Sequence, residues 1–363
     1  MHRPDRHLVA KGRGAVTNPA GRFERKTAEP VDDGWRSLEE PTPNPATVLI
    51  AEFPRHAITR NRSPDVPFDQ SINPYQGCEH GCIYCFARPA HAYLNLSPGL
   101  DFETRIFHKP ALAGLLEKEI SAPGYVCKVI HVGGNTDPYQ PAERSLRSTR
   151  AVLELLLARR HPLTLITKGA LILRDLDLLS ALAERGLVSV FVSLTSLDDS
   201  TKRTLEPRAA SPGARLRVIR TLTQAGVPVG AMLAPVIPGL TDHEIERMLE
   251  AAAEAGARRA AFLLLRLPFE VAGLFEAWLR EHYPHRADRV LNLVRAMHDG
   301  RLNDPRFGHR MRGHGAYAAM IAARFAAACR RLGLNEREFE ELDTSQFVRA
   351  PGAPQQAGLF DGI

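Results

Sequence analysis

Between residues 66 and 270 the chain alternates short, mainly apolar runs with longer stretches in which apolar residues recur every three or four positions. The runs Lys128–Val132, Leu163–Thr167, Val188–Leu194, Val229–Ala234 and Ala261–Leu265 lack polar alternation, the pattern of strands buried on both faces of a parallel sheet. Asp69–Asn73 predicts a first strand ahead of them. The periodic stretches, about Pro141–Arg160, Asp175–Arg185, Ala214–Ala225 and Asp242–Ala255, predict amphipathic helices. Asp242 stands where an N-cap belongs, and Gly186, Gly226 and Gly256 stand where helices end. Six strands with helices between them make an α/β fold on a parallel sheet. Alternation alone does not separate a doubly wound sheet from a barrel.

The flanks read differently. Residues 1–65 are rich in Pro, Arg, Gly and Asn and show little periodicity, which predicts an irregular basic N-terminal extension that wraps the core. Residues 271–345 carry helical spacing, mainly over Leu274–Gly333, and should pack against the core. Residues 346–363 read as a flexible tail.

At 363 residues and 44% hydrophobic content, the chain suits one large or two ordinary domains. No apolar run approaches the roughly 18 residues that cross a bilayer. The N-terminus lacks an apolar signal core. These features predict no membrane association, and five cysteines of which three cluster suit a reducing cytoplasm. A net charge of +6 permits a polyanionic partner. It concentrates in residues 1–26 and in Arg301, Arg306, Arg310 and Arg312, as either a solvated face or a nucleic-acid contact.

The chemistry concentrates in GCEHGCIYCFARP, where Cys78, Cys82 and Cys85 form a C-x3-C-x2-C triplet with Tyr84 before the last cysteine. Three thiolates in one loop can hold one metal centre. A [4Fe–4S] cluster normally takes four cysteines, so three leave one iron open to a substrate or cofactor. A zinc site with His80 or His91 as fourth ligand is the alternative. Cys127 and Cys329 are isolated in apolar patterns and read as buried, inert thiols.

Further motifs fall at predicted strand ends, where α/β folds place ligands. They are GGNTDPYQPAE, ITKG, VSLTS, EPRAASPGARL and PVIPGLTD. With SINPYQGC and CIYCFARP, in this order, they resemble the radical S-adenosylmethionine (SAM) superfamily, and within it the spore-photoproduct-lyase-like, DNA-repair-photolyase-like branch. The segment KGRGAVTNPAGRFE resembles a widespread bacterial subgroup of that branch. The resemblance covers about residues 10–345.

It implies a partial (β/α)6 TIM-like barrel over about 65–270, with a [4Fe–4S] cluster on Cys78, Cys82 and Cys85. It implies that SAM chelates the open iron and is cleaved to a 5′-deoxyadenosyl radical that abstracts hydrogen. An electron donor such as flavodoxin or ferredoxin is implied as well. Gly133 and Gly134 match a Gly-Gly-Glu-like motif that receives the SAM amino group, with Asn135 in place of the acid. Asn135 and Thr136 still offer side-chain oxygens, and a plain turn is the other reading. Lys168 is assigned to the SAM carboxylate or to a structural Asp. Ser193 or Thr195 contacts SAM or satisfies backbone. Glu206 and Arg208 pair with each other, position SAM or touch substrate. Val236 and Ile237 pack on the adenine or simply follow an apolar strand.

One departure matters. Spore photoproduct lyase uses a hydrogen-donor cysteine beside the turn matched by Gly134, and Gly133–Glu143 contains no cysteine. Superfamily chemistry carries over; dimer reversal does not. Gln356, Leu359 and Phe360 resemble the short peptides that dock on the bacterial sliding clamp, without the usual second-position Leu. Three functions follow: a radical SAM enzyme for repair or modification of nucleic acid, one for a protein or small molecule, and a zinc-bound module without catalysis.

Overall fold

The computed structural model describes residues 10–24, 45–336 and 341–350. Its strands are β1 (Val48–Ala51), β2 (Thr59–Arg60), β3 (Gln70–Ile72), β4 (Tyr75–Gln76), β5 (Arg105–His108), β6 (Ile130–Val132), β7 (Leu163–Thr167), β8 (Val188–Leu194), β9 (Val229–Val236) and β10 (Arg259–Leu264). The helices are α1 (Leu100–Thr104), α2 (Leu112–Ser121), α3 (Glu143–Leu146), α4 (Ser148–Ala158), α5 (Leu176–Ala183), α6 (Asp199–Leu205), α7 (Pro212–Gln224), α8 (Ile245–Glu254), α9 (Val271–His282), α10 (Ala287–Met297) and α11 (Gly315–Arg331).

The main sheet runs β10-β9-β8-β7-β6-β3-β2. From β3 to β10 every pairing is parallel, and β2 adds an antiparallel edge. Each helical crossover advances one strand in the same direction. A doubly wound sheet reverses its strand order midway. This one does not, so the architecture is a partial (β/α)6 TIM-like barrel. Among the described residues no ladder joins β10 back to β3. The C-termini of β3 and β6–β10 therefore face one end.

The strand pattern is legible because β7, β8 and β9 are buried almost throughout. Their apolar side chains and the inner faces of α4, α5, α7, α8 and α11 share one core. A second core joins Ala15 and Val16, the cysteine loop at Cys82–Tyr84, and α9–α10 with Trp278 fully buried. The C-terminal helices thus back the loop directly.

Four local differences have physical causes. The expected helix at Pro141–Arg160 breaks at Arg147, which is left-handed at φ 52°. There the Glu143 carboxylate accepts the backbone N–H of Thr149 at 2.9 Å and opens a new helix. Asp242 does not cap α8; it accepts the Tyr317 hydroxyl at 2.5 Å within a 3-10 turn. The N-terminal region contains β1, which joins β5 and β4 in a separate three-stranded sheet. Four residues paired with a partner some 57 positions on leave no local signature. Finally, Phe347 packs edge-on against Tyr125 and His161, and Val348 N–H donates to Arg159 O at 2.9 Å, so residues 346–350 dock at the opening end of the strands. Gln356, Leu359 and Phe360 lie outside the described residues.

Candidate functional site

The loop from Cys78 to Cys85 has no regular ladder, so isolated backbone bonds and side chains satisfy its backbone. Arg88, fully buried, holds two of its carbonyls and two of a neighbouring turn. Its guanidinium donates to Cys82 O at 2.9 Å, Gly81 O at 3.1 Å, Pro98 O at 3.0 Å and Gly99 O at 2.9 Å. It also pairs with Glu103 Oε1 at 2.5 Å, both side chains being fully buried. Glu103 also accepts Gly14 N–H on Oε2 at 3.0 Å and Ala15 N–H on Oε1 at 2.9 Å. Residues 10–24 thus form a strap across the loop. A Cβ on Gly14 would sit 1.9 Å from Gly81 O, so only glycine permits this approach.

All three loop cysteines are free; Cys78 and Cys82 are buried and Cys85 is half-buried. Burial, then Asp137 and the neighbouring thiols Cys82 and Cys85, pushes the Cys78 thiol up. Cys82 is pushed up to about 12, first by burial and then by Glu206, with Lys168 and Arg215 pulling the other way. Three sulfurs, two cations and two carboxylates therefore share one neighbourhood.

Tyr84 is buried and donates its hydroxyl to Glu206. Thr195 Oγ1 lies 2.8 Å from Glu206 Oε1 and 3.2 Å from Ala234 O. Arg215 closes on the other Glu206 oxygen and donates to Ser193 O at 3.0 Å. Burial alone would raise the Glu206 carboxyl, but Arg215, Lys168 and Tyr84 hold it down at about 2. Lys168 Nζ stands 5.9 Å from the Tyr84 ring centroid. Among the described residues no carboxylate forms an ion pair with it. Ile237 packs in the same cluster as Cys82 and Tyr84, and Val236 packs in the main core.

Asp137 binds three strand-end loops together. Its carboxylate accepts Thr167 Oγ1 at 2.6 Å and Lys168 N–H at 2.7 Å, and it meets His80 Nδ1 at 3.3 Å. His80 and these hydrogen bonds outweigh burial and hold its pKa well below the usual carboxylate range. Gly133, at the end of β6, adopts φ +89°, and a Cβ there would meet Pro138 Cδ at 2.5 Å. Gly134 faces the rings of His131 and Phe68. Asn135 is exposed, with its N–H on Asn73 Oδ1 at 2.8 Å. The Thr136 hydroxyl is committed to Tyr75 O at 2.7 Å. Arg208 pairs with Glu79 at 2.8 Å, and its N–H holds His80 O.

The structure thus brings Tyr84, Lys168, Ser193, Thr195, Glu206 and Ile237 together with the cysteine loop at the C-terminal end of the strands. Thr136 and Arg208 brace neighbouring backbone. Sequence reasoning missed Arg88, Glu103 and Arg215, whose partners lie 9 to 15 positions away without periodic spacing. It also missed Arg266, half-buried near Cys85 and stacked over Phe86 at 4.8 Å. Burial and then Arg310 lower the Arg266 pKa, marking a crowded positive spot. Of the basic run, Arg306 is tied to Asp299 and Asp304, and Arg310 to Asp65. Cys127 is half-buried and Cys329 buried, and burial pushes each thiol up to about 11, so both remain protonated.

A family model described as the Radical SAM superfamily matches residues 72–252. An uncharacterized protein of Mycobacterium tuberculosis is 38% identical over 232 residues, covering 63% of this chain and 68% of its own. An uncharacterized protein of Methanocaldococcus jannaschii is 28% identical over 173 residues, covering 48% of this chain and 62% of its own. Among solved structures, spore photoproduct lyase complexed with dinucleoside spore photoproduct matches with TM-score 0.57 at 15% identity, over 79% of this chain and 80% of that one. A variant of that lyase with bound AdoMet and the same dinucleoside matches at 0.53 and 17%, over 78% of each chain. Such identities show a shared fold. Members of the superfamily use a [4Fe–4S] cluster and SAM. The chain belongs to the radical SAM superfamily and is an enzyme of that class.

Proposed function

We propose that Cys78, Cys82 and Cys85 hold a [4Fe–4S] cluster with one iron open to SAM, and that the enzyme acts on a nucleic acid. The donor set fits the cluster. The thiols are free, lie on one braced loop, and act on one another electrostatically. A cluster gives each thiolate its own iron. When bound, the cluster and SAM supply a 5′-deoxyadenosyl radical for hydrogen abstraction.

The chain's own groups bind and orient. Lys168 supplies a cation for the SAM carboxylate. Gly133 and Gly134 let backbone approach the SAM amino group, and Asn135 offers its side-chain oxygen. Thr136 and Arg208 keep that turn and the cysteine loop in place. Ser193 and Ile237 line the adenosine side. Tyr84 is fixed by Glu206 and shields the loop from water. A flavodoxin or ferredoxin supplies the electron. Free thiols and an oxygen-sensitive cluster suit a cytoplasmic enzyme, and the described helices include none long and apolar enough to cross a membrane.

The substrate class rests on the rim. Exposed aromatic rings there are each faced by an arginine: Phe86 by Arg266 at 4.8 Å, Phe307 by Arg310 at 4.8 Å, and Phe269 by Arg22 at 4.1 Å. Rings that accept base stacking beside cations that attract phosphate are the equipment of single-strand binding. The lyase structures that share this fold hold a dinucleoside, in accord with this class. Spore-photoproduct reversal itself is not proposed, because Gly133–Glu143 has no cysteine and Cys127 stands before β6 at its opening end.

The test is anaerobic formation of 5′-deoxyadenosine with single-stranded DNA, cellular RNA, or protein and small-molecule fractions. Nucleic acid should raise it several-fold, and Arg266→Ala with Phe86→Ala should remove that rise. A rise with protein or small molecules alone would overturn the substrate class. Protein free of iron and sulfide after anaerobic preparation would overturn the cluster assignment.

A further inference from the structure

The loop joining α10 to α11 carries chemistry that the cysteine site does not use. Asp304, His309 and His314 offer ligand atoms that all lie within 4.8 Å of one another. Their spacing is D-x4-H-x4-H. His314 Nε2 meets Asp299 Oδ1 at 2.5 Å. With that proton donated to Asp299, Nδ1 is left as a lone-pair donor. Nδ1 is shielded from solvent and has no hydrogen-bond partner among the described residues. A carboxylate behind one imidazole nitrogen, with the other left open, is the support that metal-ligating histidines commonly receive.

An independent observation marks the same loop. Eight shielded side-chain nitrogen or oxygen atoms lack a partner among the described residues, and three of them are His298 Nδ1, Asn303 Oδ1 and His314 Nδ1. His298 is fully buried, its Nε2 lies 3.1 Å from Leu265 O, and the charges of Asp304 and His314 both reach it. Buried polar atoms left without partners are costly and call for an occupant. Arg306 brackets Asp304, with Nε at 3.0 and 3.1 Å from its two oxygens, and fixes the carboxylate. The Arg306 backbone N–H also donates to Oδ1 at 3.0 Å and Nη2 to Oδ2 at 2.6 Å, so a metal bond at Asp304 takes the place of one Arg306 contact.

We propose that Asp304, His309 and His314 bind one divalent transition-metal cation of the zinc type, with a fourth position open beside His298. Two imidazoles and a carboxylate suit zinc at bonds of about 2.0–2.2 Å. Ligand atoms of a tetrahedral site at that length lie roughly 3.4 Å apart, so the three side chains close by about 1 Å. The trio contains no thiol and differs from the cysteine loop in softness. The ion staples the loop that docks on the end of β10 through Leu264 N–H to Met311 O at 3.0 Å and Leu267 N–H to Leu302 O at 3.1 Å. That loop carries Phe307 and Arg310. The proposal stands whether or not the substrate is a nucleic acid.

The experiment titrates cluster-loaded full-length protein, cleared of zinc by mild chelation, with Zn2+ against a chromogenic chelator. One Zn2+ per chain should bind. His309→Gln and His314→Gln should each weaken it at least 100-fold, and Asp299→Asn, which keeps the shape, by about 10–100-fold. A Cys78→Ala, Cys82→Ala, Cys85→Ala chain should still bind one. Co2+ in place of Zn2+ should give weak visible bands without sulfur charge transfer. Retained iron in the histidine variants shows that the chain has folded. Equal affinity in all three loop variants, or binding that vanishes with the cysteines, overturns the proposal.

Discussion

The floor of the site and its rim are built from the same residue types to opposite ends. On the floor, Arg88 with Glu103 and Arg215 with Glu206 are removed from water, and their remaining donors hold backbone carbonyls. On the rim, Arg22, Arg266 and Arg310 lie over exposed rings. A buried ion pair gains little net stability over a hydrophobic pair of similar size, yet losing one partner is costly. An exposed cation–π contact is worth only about 0.5–1 kcal/mol. The floor therefore specifies one loop conformation, whereas the rim keeps its rings exposed for binding, with Arg22 paired to Glu270 and Arg310 to Asp65.

The largest effect should come from the floor's thiols. Replacing Cys78, Cys82 or Cys85 by Ala should abolish the broad absorption near about 400 nm and roughly four irons expected of a cluster with cysteine ligation. Cys127→Ala and Cys329→Ala should leave both unchanged. Iron analysis and the visible spectrum decide it.

Next come the buried pairs. Arg88→Ala strands Glu103, and Glu206→Gln strands Arg215; each should cost about 3–5 kcal/mol in urea unfolding. If either costs less than about 1 kcal/mol, in the range of an exposed pair, the contrast between floor and rim collapses. The pH dependence follows from Glu206, held down at about 2 in the folded chain. A depressed carboxylate contributes stability that is full above the usual carboxylate range and is lost as pH falls toward 2. Glu206→Gln should flatten that part of the acid limb.

Lys168→Ala should weaken SAM binding by about 1.5–3 kcal/mol, the value of a charged hydrogen bond. Equilibrium dialysis with cluster-loaded protein measures it. Unchanged SAM affinity would return Lys168 to a role in packing on Tyr84.

The smallest effect sharpens the rim. Phe86→Ala should weaken single-strand binding by about 1–3 kcal/mol with little change in salt dependence. Arg266→Ala should reduce the salt slope by about 0.7, one phosphate contact on a single strand. Both variants should keep wild-type unfolding midpoints. Midpoints that fall with either variant would make the rim structural.

Much of the architecture was legible because β7 to β9 are mainly apolar and α7 and α8 have one apolar face. Gly186, Gly226 and Gly256 take positive φ at helix ends, as their positions predict. The cysteine loop was legible because its spacing is local. What holds it was not. Arg88 follows the last cysteine by three residues, yet nothing in FARP tells a buried guanidinium from a solvated one, since that depends on Glu103 folding back over it. Asp137 reads as a turn residue before Pro138. Its acceptors' partners, Thr167 and Lys168, come from the next strand. Arg301–Arg312 reads as a basic patch, whereas Asp299, Asp304 and Asp65 neutralise part of it.

The strap over Gly81 also sets an order of assembly. Gly14 leaves the ribosome 89 residues before Glu103, the carboxylate it docks on. At about 5–20 residues per second, that is roughly 5–20 s of synthesis. Gly81 and the thiols beside it emerge inside that interval, uncovered. The strap thus closes only after the thiols it crosses have been made, which leaves an interval in which they stand open.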